Sequence, residues 1–285
     1  MLILVLLLTT VLPLNAISSV AESESISSTE SITAQNQQAT PSNGSESFEE
    51  EWKSEDFTYD EITEKLISTN SYYAITGFSE KGKAKILQNK ALVIPATVEV
   101  MEKGNKVEKR ITGIGKDAFA KKDIESLTIN IPEGYKEYII ADGAFESNKL
   151  TEINIPFGVK FIESYAFRDN ELESLYLPET VVKVGNNSFT NNKISSLTVS
   201  DRVEKFQFDS FSFANNKLTE VHLPYSIFKL LKNVFINNTG YQDGKVLLYT
   251  RNKKHLETST YIQPHSDYHE FRLMGEEVNR ENLYK

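Results

Sequence analysis

Two histidines four residues apart, His265 and His269, stand beside Asp267 and Glu270 near the end of the chain. On a helix that spacing would turn both imidazoles to one side, where they could bind a metal ion, and with His255 they raise the idea of metal or haem capture. Pro264 and the polar surroundings favour a terminal loop instead. LPETV at 177–181 has the look of a cell-wall anchoring signal, yet no glycine follows it. It falls in register with IPFGV at 155–159 and LPYSI at 223–227, which makes it the end of a strand. No G-x-S-x-G, H-E-x-x-H or phosphate-binding glycine loop occurs. The expectation is a protein that is not an enzyme, with no catalytic or metal residues and no cofactor.

Another set of residues has the spacing of a binding surface. Phe119, Phe145, Phe167, Phe189, Phe213 and Phe235 recur at intervals of 26, 22, 22, 24 and 22 residues, the mark of a repeat protein. Seven and nine residues after the first five stand two rows: Ser126, Glu152, Ser174, Ser196, Glu220 and Thr128, Asn154, Tyr176, Thr198, His222. They alternate with Leu127/Ile129, Ile153/Ile155, Leu175/Leu177, Leu197/Val199 and Val221/Leu223. A period of two is a strand with one buried face, so both rows point outward. Most of these are ordinary solvated residues. Tyr176 and His222 are more informative, because an aromatic ring on an exposed strand has little structural cause and aromatics are enriched in binding hot spots. The candidate ligand-binding residues are Glu152, Asn154, Tyr176, Thr198, Glu220 and His222, with Phe157 and Tyr225 extending the patch past the prolines.

The elements that position these rows repeat with them. Ile124, Leu150, Leu172, Ile194 and Leu218 follow each Phe by five, and Pro156, Pro178 and Pro224 close the strands. A second apolar pair comes next: Val159/Ile162, Val181/Val184, Val203/Phe206 and Ile227/Leu230. Each repeat is one coil of a solenoid. A single coil buries too little apolar surface to offset the ordering of its chain, whereas stacked coils share one core. Asn148, Asn170, Asn192, Asn216 and Asn238 stand three residues after their Phe, with Lys122 in that place in the first copy. Asparagine tolerates the left-handed conformation and its amide can bond the backbone of a neighbouring coil, so these residues are assigned a structural role.

The pattern A-F-x-x-N-x-L-x-x-L-x-L/I-P-x-x-V-x-x-I resembles the BspA-like leucine-rich repeats of bacterial secreted and cell-surface proteins. The resemblance implies a mainly β or α/β fold: a right-handed solenoid with short parallel strands, about six coils of 22–26 residues, and an N-terminal hairpin-like cap. Residues 72–100 (YYAITGFSEKGKAKILQNKALVIPATVEV) are similar to that cap, and DGKVLLYT (243–250) with YIQP (261–264) to the usual exit. The chain then divides into a cap unit at 54–110, repeats at 111–240 and a C-terminal cap or tail at 241–285. The resemblance also implies binding of an extracellular protein or glycan, on host matrix or a bacterial surface, as an adhesin does. The rival readings are a passive spacer without a specific ligand and, more weakly, metal or haem capture.

Charge and composition bound the rest. The chain carries 31 basic and 40 acidic residues, a net −9. Residues 22 to 61 hold eleven acids and one Lys, or −10, which leaves the remainder near +1. No basic stripe marks a nucleic-acid partner, and with no cysteine there is no disulfide or thiol chemistry. LILVLLLTTVLPLNA (2–16) is too short to span a bilayer comfortably. It reads as the core of a secretory signal peptide over residues 1–21, cleaved after Ala21 or, as second choice, Ala16, although no Lys or Arg precedes it. The mature chain is then extracellular, secreted or associated with the cell surface, without a transmembrane segment. Residues 22–53, rich in Ser, Thr and Glu, are expected to be a disordered acidic linker, and 54–66 a strand or one short helix.

Overall fold

The computed structural model describes residues 51–63, 72–239, 246–250 and 269–273. The expected signal peptide and nearly all of the expected linker lie outside these residues. Residues 51–53 are the exception, Trp52 above all. It falls in the stretch read as linker, yet its ring is buried against Phe57 and Phe78 and its Nε1 donates to the Ala91 carbonyl at 2.8 Å. The folded unit therefore takes in Trp52, because an indole that both packs and finds an acceptor is worth ordering.

A 3-10 turn at Ser54–Asp56 leads into β1 (Phe57–Ile62), so the ambiguous stretch holds one of each. β2 (Tyr72–Phe78) pairs antiparallel with β1. Helix α1 (Glu80–Gln88) follows, its N-terminus capped by the Ser79 hydroxyl, which accepts from the Gly82 N–H at 3.2 Å. Lys85 of α1 is buried, donating to Asp56 at 3.0 Å and lying 4.7 Å from the Trp52 ring. β3 (Ala91–Ile94) precedes a hairpin of β4 (Thr97–Glu102) and β5 (Asn105–Arg110). Its turn residues Lys103 and Gly104 have φ of 51° and 85°, the two positive values that a tight hairpin turn requires.

From there the coils contribute strands to two sides of one core. β6 (Gly113–Ile114), β8 (Tyr138–Ile140), β9 (Val159–Ile162), β11 (Lys183–Val184), β13 (Phe206–Phe208) and β15 (Ile227–Leu230) continue from β1 and β2 as an eight-stranded sheet, parallel after the first pair. Opposite them run β7 (Ser126–Ile129), β10 (Ser174–Leu177), β12 (Ser196–Val199) and β14 (Glu220–His222), then β16 (Val246–Thr250) and β17 (His269–Leu273). This side is not one ladder. It falls into β3–β7, β10–β12 and β14–β16–β17, and Glu152–Ile155 lies in no strand. Two of the breaks fall at the intervals longer than 22 residues, and the third, between Glu152–Ile155 and β10, at an interval of 22. The extra residues after β7 pack over the 155–158 corner, where Gly158 has φ 114° and a Cβ would come 2.5 Å from the Tyr135 carbonyl oxygen. The eight-stranded sheet absorbs the same two irregularities as register shifts, at Tyr138/Ile139 and Phe206/Gln207.

Between the two sides the phenylalanines stack. Successive rings from Phe119 to Phe213 lie 5.2–5.5 Å apart and within 15° of parallel, each pair contributing about 0.5–1.5 kcal/mol beyond burial. The asparagines form a second interior column. Asn192 Oδ1 accepts from the Leu172 N–H at 3.0 Å, while its Nδ2 donates to the carbonyls of Phe167 and Phe189. Asn148, Asn170, Asn216 and Asn238 repeat this arrangement, which supports the structural role expected of them. The left-handed residue is, however, the one before: Ser147, Asp169, Asn191, Asn215 and Asn237 have φ between 55° and 58°. Among the described residues no helix is long and apolar enough to cross a membrane.

Candidate functional site

Alternation builds the outward rows. In β10 and β12, Leu175, Leu177, Leu197 and Val199 enter the core while Ser174, Tyr176, Ser196 and Thr198 are exposed. Parallel register places Tyr176 beside Thr198 and Ser174 beside Ser196. In β14, Glu220 and His222 flank the buried Val221. His222 Nε2 lies 3.7 Å from the Glu220 carboxylate, and its ring lies 4.8 Å from that of Tyr249, its register partner on β16.

All six candidate residues are exposed. Tyr176 and Thr198 form one group, and Glu220 and His222 another. Glu152 and Asn154 flank the buried Ile153 in the coil that makes no strand, so for these two the expected strand does not form and loop backbone takes its place. Phe157, Tyr176 and Tyr225 are 51, 52 and 62 % exposed. Sequence reasoning missed Tyr249 and the exposed Val93, which pairs in register with Thr128. The signal lay in the short alternating runs VLLYT and ALVI, outside the counted phenylalanines.

Most polar groups on this face make no bond within the protein. Among the described residues, the side chains of Glu152, Asn154, Ser174, Tyr176, Ser196 and Thr198 make no hydrogen bond within the protein. The lysines on the preceding loops are mostly engaged: Lys149 with Asp123 at 3.0 Å and Lys193 with Glu171 at 2.5 Å. Hydrogen bonds from these ammonium groups hold both carboxyls below their ordinary range. Among the described residues no three His, Cys, Asp or Glu side chains gather as a metal site. The side chains of His255, His265 and His269 fall outside the described residues. The backbone of His269 begins β17, parallel to β16, rather than lying in the terminal loop expected for it.

Residues 112–242 match the family model described as BspA type leucine rich repeat region, in six copies. The fold is similar to the crystal structure of the pneumococcal vaccine antigen PcpA, with 20% identity and a TM-score of 0.52 over 72% of this chain and 50% of that one. It is also similar to a leucine rich cell surface protein from Faecalibacterium prausnitzii A2-165, with 17% identity and a TM-score of 0.39 over 66% and 54% of the two chains. The chain thus spans half the length of the pneumococcal structure, and the likeness to it concerns the fold alone. No curated protein matches the chain.

Proposed function

We propose, from a repeat region that belongs to the BspA type leucine-rich repeat family, that the protein is secreted or held at the cell surface and binds an extracellular macromolecule there as an adhesin. The observation that carries this reading is Tyr176, 52 % exposed on a paired strand beside hydroxyls that have no partner. A ring held on a parallel ladder loses little freedom when a ligand covers it, which lowers the cost of binding. Glu152, Asn154, Thr198, Glu220 and His222 complete the footprint. The apolar leader at 2–16 and the acidic stretch after it support export.

The test is binding of the secreted chain to immobilised host matrix proteins and to bacterial surfaces. Tyr176→Ala should cost about 1–2 kcal/mol or more of affinity, as a hot spot does, and Tyr176→Ala with His222→Ala should abolish detectable binding. A passive spacer would have no affinity to lose. Binding that survives the double substitution but vanishes when residues 241–285 are deleted would move the site to the C-terminal segment.

A further inference from the structure

The chemistry of the outward rows narrows the class of ligand. Along both rows from β7 to β14, among the described residues, there is no lysine or arginine; the acidic members are Glu152 and Glu220. Of the three lysines on the loops beside the rows, Lys149 and Lys193 are already held by Asp123 and Glu171, and among the described residues Lys217 alone is not paired. A sulfated or uronic-acid polymer would meet negative charge with little to offset it. What the face does present is hydroxyls, an amide and a carboxylate without partners, and two aromatic groups: Tyr176, and His222 with Tyr249, whose rings lie 4.8 Å apart and tilted by 32°. A pyranose ring is the complement of such a surface. Its C–H face packs on an aromatic ring, and its hydroxyls donate to a carboxylate and accept from a hydroxyl or amide.

Spacing adds direction. The coils advance with their stacked phenylalanines, 5.2–5.5 Å apart, and Tyr176 stands two coils from His222. An extended β-linked hexopyranose chain advances by a closely similar distance per sugar, so a chain laid across the strands would set alternate sugars over the two aromatic groups. A cationic peptide is the other ligand that the charge would admit. It would need acidic groups close together, whereas Glu152 and Glu220 stand three coils apart and Glu220 already faces His222 at 3.7 Å. We infer that the occupant of this face is a neutral, extended, β-linked polysaccharide lying along the solenoid axis, an inference that rests on the binding face proposed above.

The experiment is retention of the secreted chain on insoluble cellulose and insoluble chitin, with hyaluronate as an anionic β-linked control. It is paired with binding to bacterial and host surfaces treated with periodate or with protease. Retention on at least one neutral polymer and not on hyaluronate is expected, weakened roughly tenfold or more by Tyr176→Ala or Tyr249→Ala without a change in melting temperature. Surface binding should be lost after periodate and kept after protease. Binding that needs Tyr176, survives periodate and is lost with protease overturns the polysaccharide while leaving the face in place. Binding indifferent to both substitutions overturns the face as well. Retention on hyaluronate equal to that on the neutral polymers, or on none of them, also overturns the inference.

Discussion

The two sides that enclose the phenylalanine stack treat their polar side chains in opposite ways. On the eight-stranded sheet, Lys183 lies 2.7 Å from Glu163 and 4.0 Å from Asp209, and Asp209 is reached in turn by Lys229 at 3.8 Å and by the Gln207 amide at 3.1 Å. Charge is passed from coil to coil, and irregular coil lengths are taken up by register shifts, so the sheet stays continuous. On the Leu-x-Leu side the ladder breaks at the same irregular coils, and most of its outward polar groups have no partner. One side is committed to cohesion. The other leaves most of its polar groups facing outward and unbonded within the chain.

The severest test of this contrast concerns the core that both sides share. Phe167→Ala or Phe189→Ala should cost roughly 3–5 kcal/mol in denaturant unfolding, the range for emptying a buried aromatic site. A small loss would mean that the sides do not rest on a common core. Next comes Asn192→Ala, which strands the Leu172 N–H and frees two phenylalanine carbonyls. Each buried group left unpaired costs about 1–3 kcal/mol. Asn191→Ala, in the exposed column one residue earlier, should cost about 1–2 kcal/mol, because alanine is strained at its φ of 58°, and an effect equal to that of Asn192→Ala would refute the distinction between the columns.

Smaller effects sharpen the picture. The Ser188 and Ser212 hydroxyls are buried without a partner at positions where neighbouring coils carry Ala144 and Ala166. Ser212→Ala should therefore raise stability, by up to about 1 kcal/mol, seen as a higher melting temperature. Glu163 supplies a pH signature. Burial pushes its carboxyl above the ordinary 4.5, against the opposing pull of the Lys183 hydrogen bond. The folded state then holds this proton more tightly than the unfolded one, so the contribution is full below pH 4.5 and is lost as pH rises through the raised value. Glu163→Gln should flatten that decline in a melting-temperature profile, and a parallel profile would show that the group does not titrate in the fold. Least of all, Tyr176→Ala should alter stability by about 0.5 kcal/mol at most, which separates a ligand contact from a structural one.

Much of the core was legible because each coil poses the same physical demand and answers it with the same residue. Phe at the stack and Asn at the turn recur for that reason. Trp52 escaped because a lone apolar residue in an acidic stretch has no periodic neighbour to mark it. The eight-stranded sheet escaped because Val159 and Ile162, three apart, do not alternate as a strand should, and local spacing says nothing of pairing partners. Exposure of Tyr176 and His222 followed from period two alone. Tyr249 did not, since its strand comes after the last counted phenylalanine, and the ladder breaks were hidden because unequal intervals do not say which side will yield.

The asparagine column also gives the molecule an arrow. Each amide serves the coil before it: Asn170 accepts from Leu150 and donates to the carbonyl of Phe145, and Asn192 does the same for Leu172 and Phe167. Each coil thus takes the acceptor for its inner N–H from its successor, although every amide also bonds the Phe carbonyl of its own coil. The first coil has Lys122 where the others have Asn, and what precedes it is not a repeat coil but the segment that carries α1. A chain that emerges from its N-terminus, as any chain does in synthesis, delivers coils in the order in which they complete one another, so each new arrival seals the last and only the newest stays open.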